Sequence, residues 1–163
     1  MARYIGIAFA TLTFLALNIY ADISDDKKEN ILPADAKEVL EKADQLELFS
    51  LDPSERDKEK GFHDHPVLGK TTIKEEKDRK KIVSALMKGI ADNKGEVGKC
   101  FEPRHGIRVK HDDKTVDFVI CFHCKHIHVY VGDKKTNLRT TGSPQTVFDG
   151  ILKAAEVPLA PKE

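Results

Sequence analysis

Between Ile107 and Val131 apolar residues recur at alternate positions around two polar turns, and this alternation restricts the fold more than any other feature of the chain. If Asp112 and Asp113 form one tight turn, Val109 faces Val116 and Ile107 faces Phe118. If His123 and Cys124 form the next, Ile120 faces Ile127 and Phe118 faces Val129. In that register all of these side chains share one face with Val131, and a "GDKK" turn adds Leu138 opposite Val129. A slip of one residue would turn the whole set to water, so the pairing is strongly specified. The other face carries Arg108 opposite Asp117, together with Cys121, His126, His128 and Tyr130. Cys121 then faces His126, and Arg104 lies opposite Cys121 if the pairing runs that far.

Helical stripes flank these strands. After Pro33, the positions Ala36, Val39, Leu40 and Ala43 follow helical spacing, as do Ile82, Val83, Leu86, Met87 and Ile90 ahead of Gly95. A third stripe, Val147, Phe148, Ile151, Leu152 and Ala155, follows Ser143 as N-cap and Pro144 at the first position. "QLELFSLDP" and "HPVLGKTTI" read as extended segments, while the charged "SERDKEKG" and the "HDH" of His63–His65 read as exposed. The predicted fold class is α+β: an antiparallel β-meander with amphipathic helices packed on one face.

Arg3, an apolar run from Ile5 to Leu17 and a small residue at Ala21 have the three-part layout of a secretory signal peptide over residues 1–21. The alternative is an uncleaved membrane anchor, for which the run is short against the about 20 residues needed to span a bilayer. Removing 21 of 163 residues leaves 142, enough for one domain with a real core. We read residues 22–32 as a polar leader, 33–158 as the domain and 159–163 as a tail. Arg3 is one of 27 basic residues, so 26 remain against 27 acidic ones, and nothing favours nucleic acid or an anionic membrane as partner. The expected location is periplasmic or extracellular.

"ICFHCKHIHVY" sets two cysteines and three histidines in eleven residues. Cys121-x-x-Cys124 is a zinc half-site, and His126 would be the natural third ligand, with His105 or Cys100 as further donors. An oxidising compartment instead favours a disulfide between two of Cys100, Cys121 and Cys124, with Cys100 placed on the inner face. A redox thiol is the third reading, although a β-turn lacks the helix N-terminus that activates thioredoxin-like cysteines. In "CFEPRHGI", Arg104 and His105 read most simply as solvated turn residues; the sharper alternative is an anion-binding arginine and a base beside a thiol.

"FHDHPVLGKTTI", "CFEPRHGIRV", "VICFHC" and "TTGSPQTVFDGILKAAEVPLAPK" together resemble a family of small, uncharacterised bacterial exported or envelope proteins, across residues 46–161. Cys100, Pro103, Arg104, His105, Gly106, Cys121 and Cys124 match its pattern, whereas His123, His126 and His128 depart from it. The resemblance implies export and assigns no activity. The functional expectation is therefore a non-catalytic binding or structural domain of the envelope, taking an unknown protein or small ligand around Cys100, Arg104, His105, Cys121 and Cys124. A zinc-like metal protein using Cys121, Cys124 and His126, with zinc as cofactor, is the alternative; a thiol-dependent redox enzyme is the third.

Overall fold

The computed structural model describes residues 30–161. The signal-peptide reading and most of the polar leader lie outside the described residues. Helix α1 (Ala34–Glu41) leads into β1 (Gln45–Leu51), β2 (Val67–Thr72) and helix α2 (Glu76–Asp92). Strands β3 (His105–His111), β4 (Lys114–Cys121), β5 (His126–Val131) and β6 (Lys134–Arg139) follow, and helix α3 (Gln145–Ala154) closes the order. One six-stranded sheet has the order β2-β1-β3-β4-β5-β6, with every neighbouring pair antiparallel. The fold is α+β with a meander from β3 to β6, as the alternation requires.

The predicted register holds across three strands: Val109 pairs with Val116, Ile107 with Phe118, Phe118 with Val129 and Ile120 with Ile127. On the next strand Leu138 pairs with Ile127 and not with Val129. The turn there is the two-residue Gly132-Asp133, shorter than "GDKK", and Gly132 takes a positive φ of 56° that such turns favour. The β4–β5 turn is longer than expected, spanning 122–125, with Lys125 at φ 57°. Pairing of β3 with β4 stops at His105 and Ile120, so Arg104 is outside the ladder. Cys100 likewise lies in irregular chain before β3 and not on an inner strand row.

Ala36, Val39 and Leu40 of α1, Ile82, Leu86 and Ile90 of α2, and Phe148 and Leu152 of α3 form one cluster with Leu46, Leu48, Ile107, Val109, Phe118 and Ile127. Leu32 belongs to it too, and the Asn30 side chain bonds the Ile90 and Arg139 carbonyls at 2.9 Å, so the ordered packing starts before residue 33. At the start of α3, Pro144 is already helical (φ −67°, ψ −21°), as suits a first helical position, while the Ser143 hydroxyl contacts the Thr141 hydroxyl at 2.8 Å.

The opposite sheet face is covered as well. Phe49, Leu51, Phe62 and Val119 are buried there with Phe101 and Tyr130 against them. Residues 52–66 make this cover, and their tip is a tight turn in which His63 and Asp64 both have positive φ, 51° and 69°. His65 is 2% exposed and His63 half-buried, which corrects the expectation that these two lie in solvent, while Asp64 between them is exposed as expected. The apolar Phe62 within the turn carries the segment down onto the sheet. Gly106 makes this approach possible, because a Cβ there would stand 2.7 Å from the Phe62 ring.

Gly89 permits another close approach, between α2 and the start of α3. A methyl group there would meet Pro144 Cγ at 2.5 Å and Thr140 Oγ1 at 2.6 Å. Alanine normally gains about 1 kcal/mol over glycine inside a helix, but overpacking costs about 1–3 kcal/mol. We expect Gly89→Ala to lower the melting temperature by several degrees; an unchanged or raised value would show that the two helices separate freely.

Candidate functional site

At the turn end of the sheet, on the core side, a cleft of about 270 Å³ opens between the β4–β5 turn, the start of α3 and the C-terminal residues. Its base is His105, the first residue of β3 and 3% exposed. The ring sits against Phe122 and Phe148, with centroids 5.2 and 5.8 Å away. Phe148 belongs to the buried stripe of α3, and the next residue on that helix, Asp149, accepts a 2.8 Å hydrogen bond from His105 Nε2. That bond, outweighing partial burial, holds the Asp149 carboxyl below the usual carboxylate range, and Lys153 adds to the effect. A carboxylate partner fixes the proton on Nε2, so Nδ1 of a neutral ring is left as an acceptor. It is buried and has no hydrogen-bond partner among the described residues.

Arg104 lines the same cleft with Glu102, His123 and Lys153. Its Nε donates to the Pro161 carbonyl at 3.1 Å, and its Nη2 stands 4.0 Å from Glu102 Oε2. The Arg104 side chain is only 16% exposed. The solvated-turn account is therefore overturned for His105, which the extension of β3 and the cover of α3 take out of bulk water, whereas Arg104 stays in the connection before β3 and is half-buried. Leu159 to Pro161, read from sequence as tail, form one wall of the cleft.

Cys100 and Cys124 face each other as a disulfide, with Cα atoms 5.8 Å apart. The bond joins the segment carrying Glu102 and Arg104 to the turn carrying Phe122 and His123. Cys121 remains a thiol, buried at the end of β4, and its sulfur accepts a hydrogen bond from the Cys124 amide at 3.1 Å. With Cys124 in the disulfide, the structure offers Cys121 and His126 as a facing pair but gives Cys124 to Cys100. Among the described residues, the group with converging ligand atoms is Asp44, His111 and Asp112 at the far end of the sheet. There His111 is already bonded to the exposed Asp44 carboxylate at 2.9 Å, as in an ordinary surface ion pair.

A second polar cluster lies under residues 52–66. Arg108 grips Asp117 through Nε and Nη2 at 2.8 and 2.7 Å, as the predicted pairing implied. His63 Nε2 donates to the same carboxylate at 2.8 Å and its ring stacks on Tyr130 at 3.8 Å. Burial pushes the Asp117 carboxyl up, but the bonds from Arg108 and His63 outweigh it and leave it below its ordinary value. His65 contacts Arg56 at 2.6 Å. Phe101 stacks on His128 at 3.7 Å, so His128 is not a plain solvent-facing strand residue. Burial is the main cause that lowers the imidazole of His65 to about 4 and that of His128 to about 3, and it moves His126 the same way.

Asp149, Lys153 and the tail residues escaped sequence reasoning. The available signal was a carboxylate immediately beside the apolar stripe of α3, which without a partner in view reads as an ordinary helix residue. Among the described residues no helix is long and apolar enough to cross a membrane. Comparison of the chain with family models, curated proteins and solved structures finds no match.

Proposed function

We propose that this chain is an exported, non-catalytic binding domain of the cell envelope whose ligand is a small anion held in the cleft above His105. The observation that carries this reading is the buried His105–Asp149 pair at the base of a concave site with Arg104 and Lys153 at its sides. Concavity with a few fixed polar groups is the usual form of a small-molecule site. Asp149 is hydrogen-bonded to His105 and Glu102 lies against Arg104, and the Arg104 guanidinium and Lys153 ammonium are the two cations of the lining that a ligand anion would meet. Oriented guanidinium groups suit carboxylates and phosphates.

Titration with succinate and, separately, inorganic phosphate tests the reading by calorimetry. One of the two should bind saturably, and Arg104→Gln should weaken it about tenfold or more, the scale of one charge-assisted hydrogen bond. Saturable binding that is indifferent to Arg104→Gln would move the site elsewhere, and no binding of either probe would remove the anion assignment.

A further inference from the structure

We propose that the three cysteines form an internal thiol–disulfide switch that staples and releases the wall of this cleft. The Cys121 sulfur is held 3.1 Å from the Cys124 amide nitrogen, and the Cys124 sulfur is three bonds from that nitrogen. The two sulfurs therefore lie within one side chain's reach, across the turn 122–125. Cys121 and Cys124 are 1% and 0% exposed, so a thiol in solution has little access to the Cys124 sulfur. Cys121 is the nucleophile already inside. Cys100, by contrast, is partly exposed and sits in irregular chain, so it can move away once released.

The step is an exchange with no external oxidant or reductant. The Cys121 thiol loses its proton and its sulfur attacks Cys124 Sγ. The Cys121–Cys124 bond forms as the Cys124–Cys100 bond breaks, and the electron pair leaves on Cys100 Sγ, which takes up a proton. One disulfide and one thiol are present before and after.

Release of Cys100 removes the covalent link between the segment carrying Glu102 and Arg104 and the turn carrying Phe122 and His123, all of which line the cleft, and leaves the Gly98–Cys124 backbone bond and the Glu96–Lys125 pair to hold the two together. The neighbour Phe101 leaves its stack on His128 at the same time. Regulation of anion binding rests on the reading given under Proposed function; the exchange itself does not, and its test needs no ligand.

Trypsin distinguishes the two states cleanly. Cys100 falls in the peptide 100–104, while Cys121 and Cys124 share the peptide 115–125. The native bond therefore links two peptides, whereas the exchanged bond closes a loop within one. Native protein, without reductant, is incubated with N-ethylmaleimide and digested. We expect the label on Cys100 and the closed loop in 115–125, with labelling at Cys100 at least about tenfold slower in Cys121→Ser, where exchange is blocked. Cys121→Ala serves equally if the serine variant does not fold. Label on Cys121 with the 100–124 link intact, or no labelling until the protein is denatured, would overturn the switch. Equal labelling of Cys100 in wild type and the Cys121 variants would overturn it too. Succinate and phosphate titration of the labelled form then reads the effect on the cleft: weakened binding supports regulation, and unchanged binding refutes regulation while leaving the exchange established.

Discussion

Replacing Asp117 with alanine should cost about 3 kcal/mol of folding stability and release residues 52–66 from the sheet. Asp117 is 6% exposed and its carboxylate accepts three hydrogen bonds, two from Arg108 and one from His63. Its removal leaves a guanidinium over the Phe62 ring without its counter-ion, and removing one partner of a buried pair costs about 3–5 kcal/mol. The partial exposure of Arg108 places the cost at the lower end of that range. His63 also loses the bond that holds a positive-φ residue on the sheet. Urea unfolding measures the stability, and brief trypsin digestion at Arg56, Lys58 and Lys60 measures the release. A loss below about 1 kcal/mol, with those sites still protected, would mean that Phe62 packing alone secures the segment.

The second large effect is acid sensitivity. In the unfolded chain His65 and His128 titrate near 6.5, but in the fold they stay neutral down to about 4 and about 3. Between these values the unfolded state binds more protons, so stability rises with pH. The contribution is whole above 6.5, declines as pH falls below it, and is fully lost once pH passes the folded values. A tenfold difference in proton affinity between the folded and unfolded chain is worth about 1.4 kcal/mol. Acidification from about pH 7 to about 4.5 should therefore remove a few kcal/mol, reduced by water at the less covered ring. His128→Phe keeps an aromatic ring beneath Phe101 and cannot protonate, so it should flatten part of the profile. A wild-type curve that is level across this window would show that the rings are wetter than their packing implies. Asp117 and Asp149, held below their usual values, lose their contributions at lower pH, outside the window where histidine acts first.

The sheet was readable in the sequence because a period of two leaves a single consistent register. Arg108 opposite Asp117 and Cys121 opposite His126 followed from that register alone. The cleft was harder to read. His105 meets Asp149 across 44 positions, and no local periodicity encodes such a meeting. Leu138 was misplaced because two turns of different length fit the same polar run. "FHDH" looked solvated because its three polar residues outnumber Phe62, yet the one ring decides where the turn lies and carries His63 and His65 with it. Cys100, Cys121 and Cys124 permitted several pairings, and only the path of the chain before β3 selects among them.

The position of β1 between β2 and β3 also bears on the order in which the chain assembles. The hairpins from β3 to β6 close over a few residues each, whereas Leu48 must find Ile107 across α2 and two long connections. Loop closure of that kind exacts its entropy before any contact compensates for it. The β1–β3 seam is thus the slow joint of the sheet, and until it closes both β1 and β3 present unpaired edges to other chains.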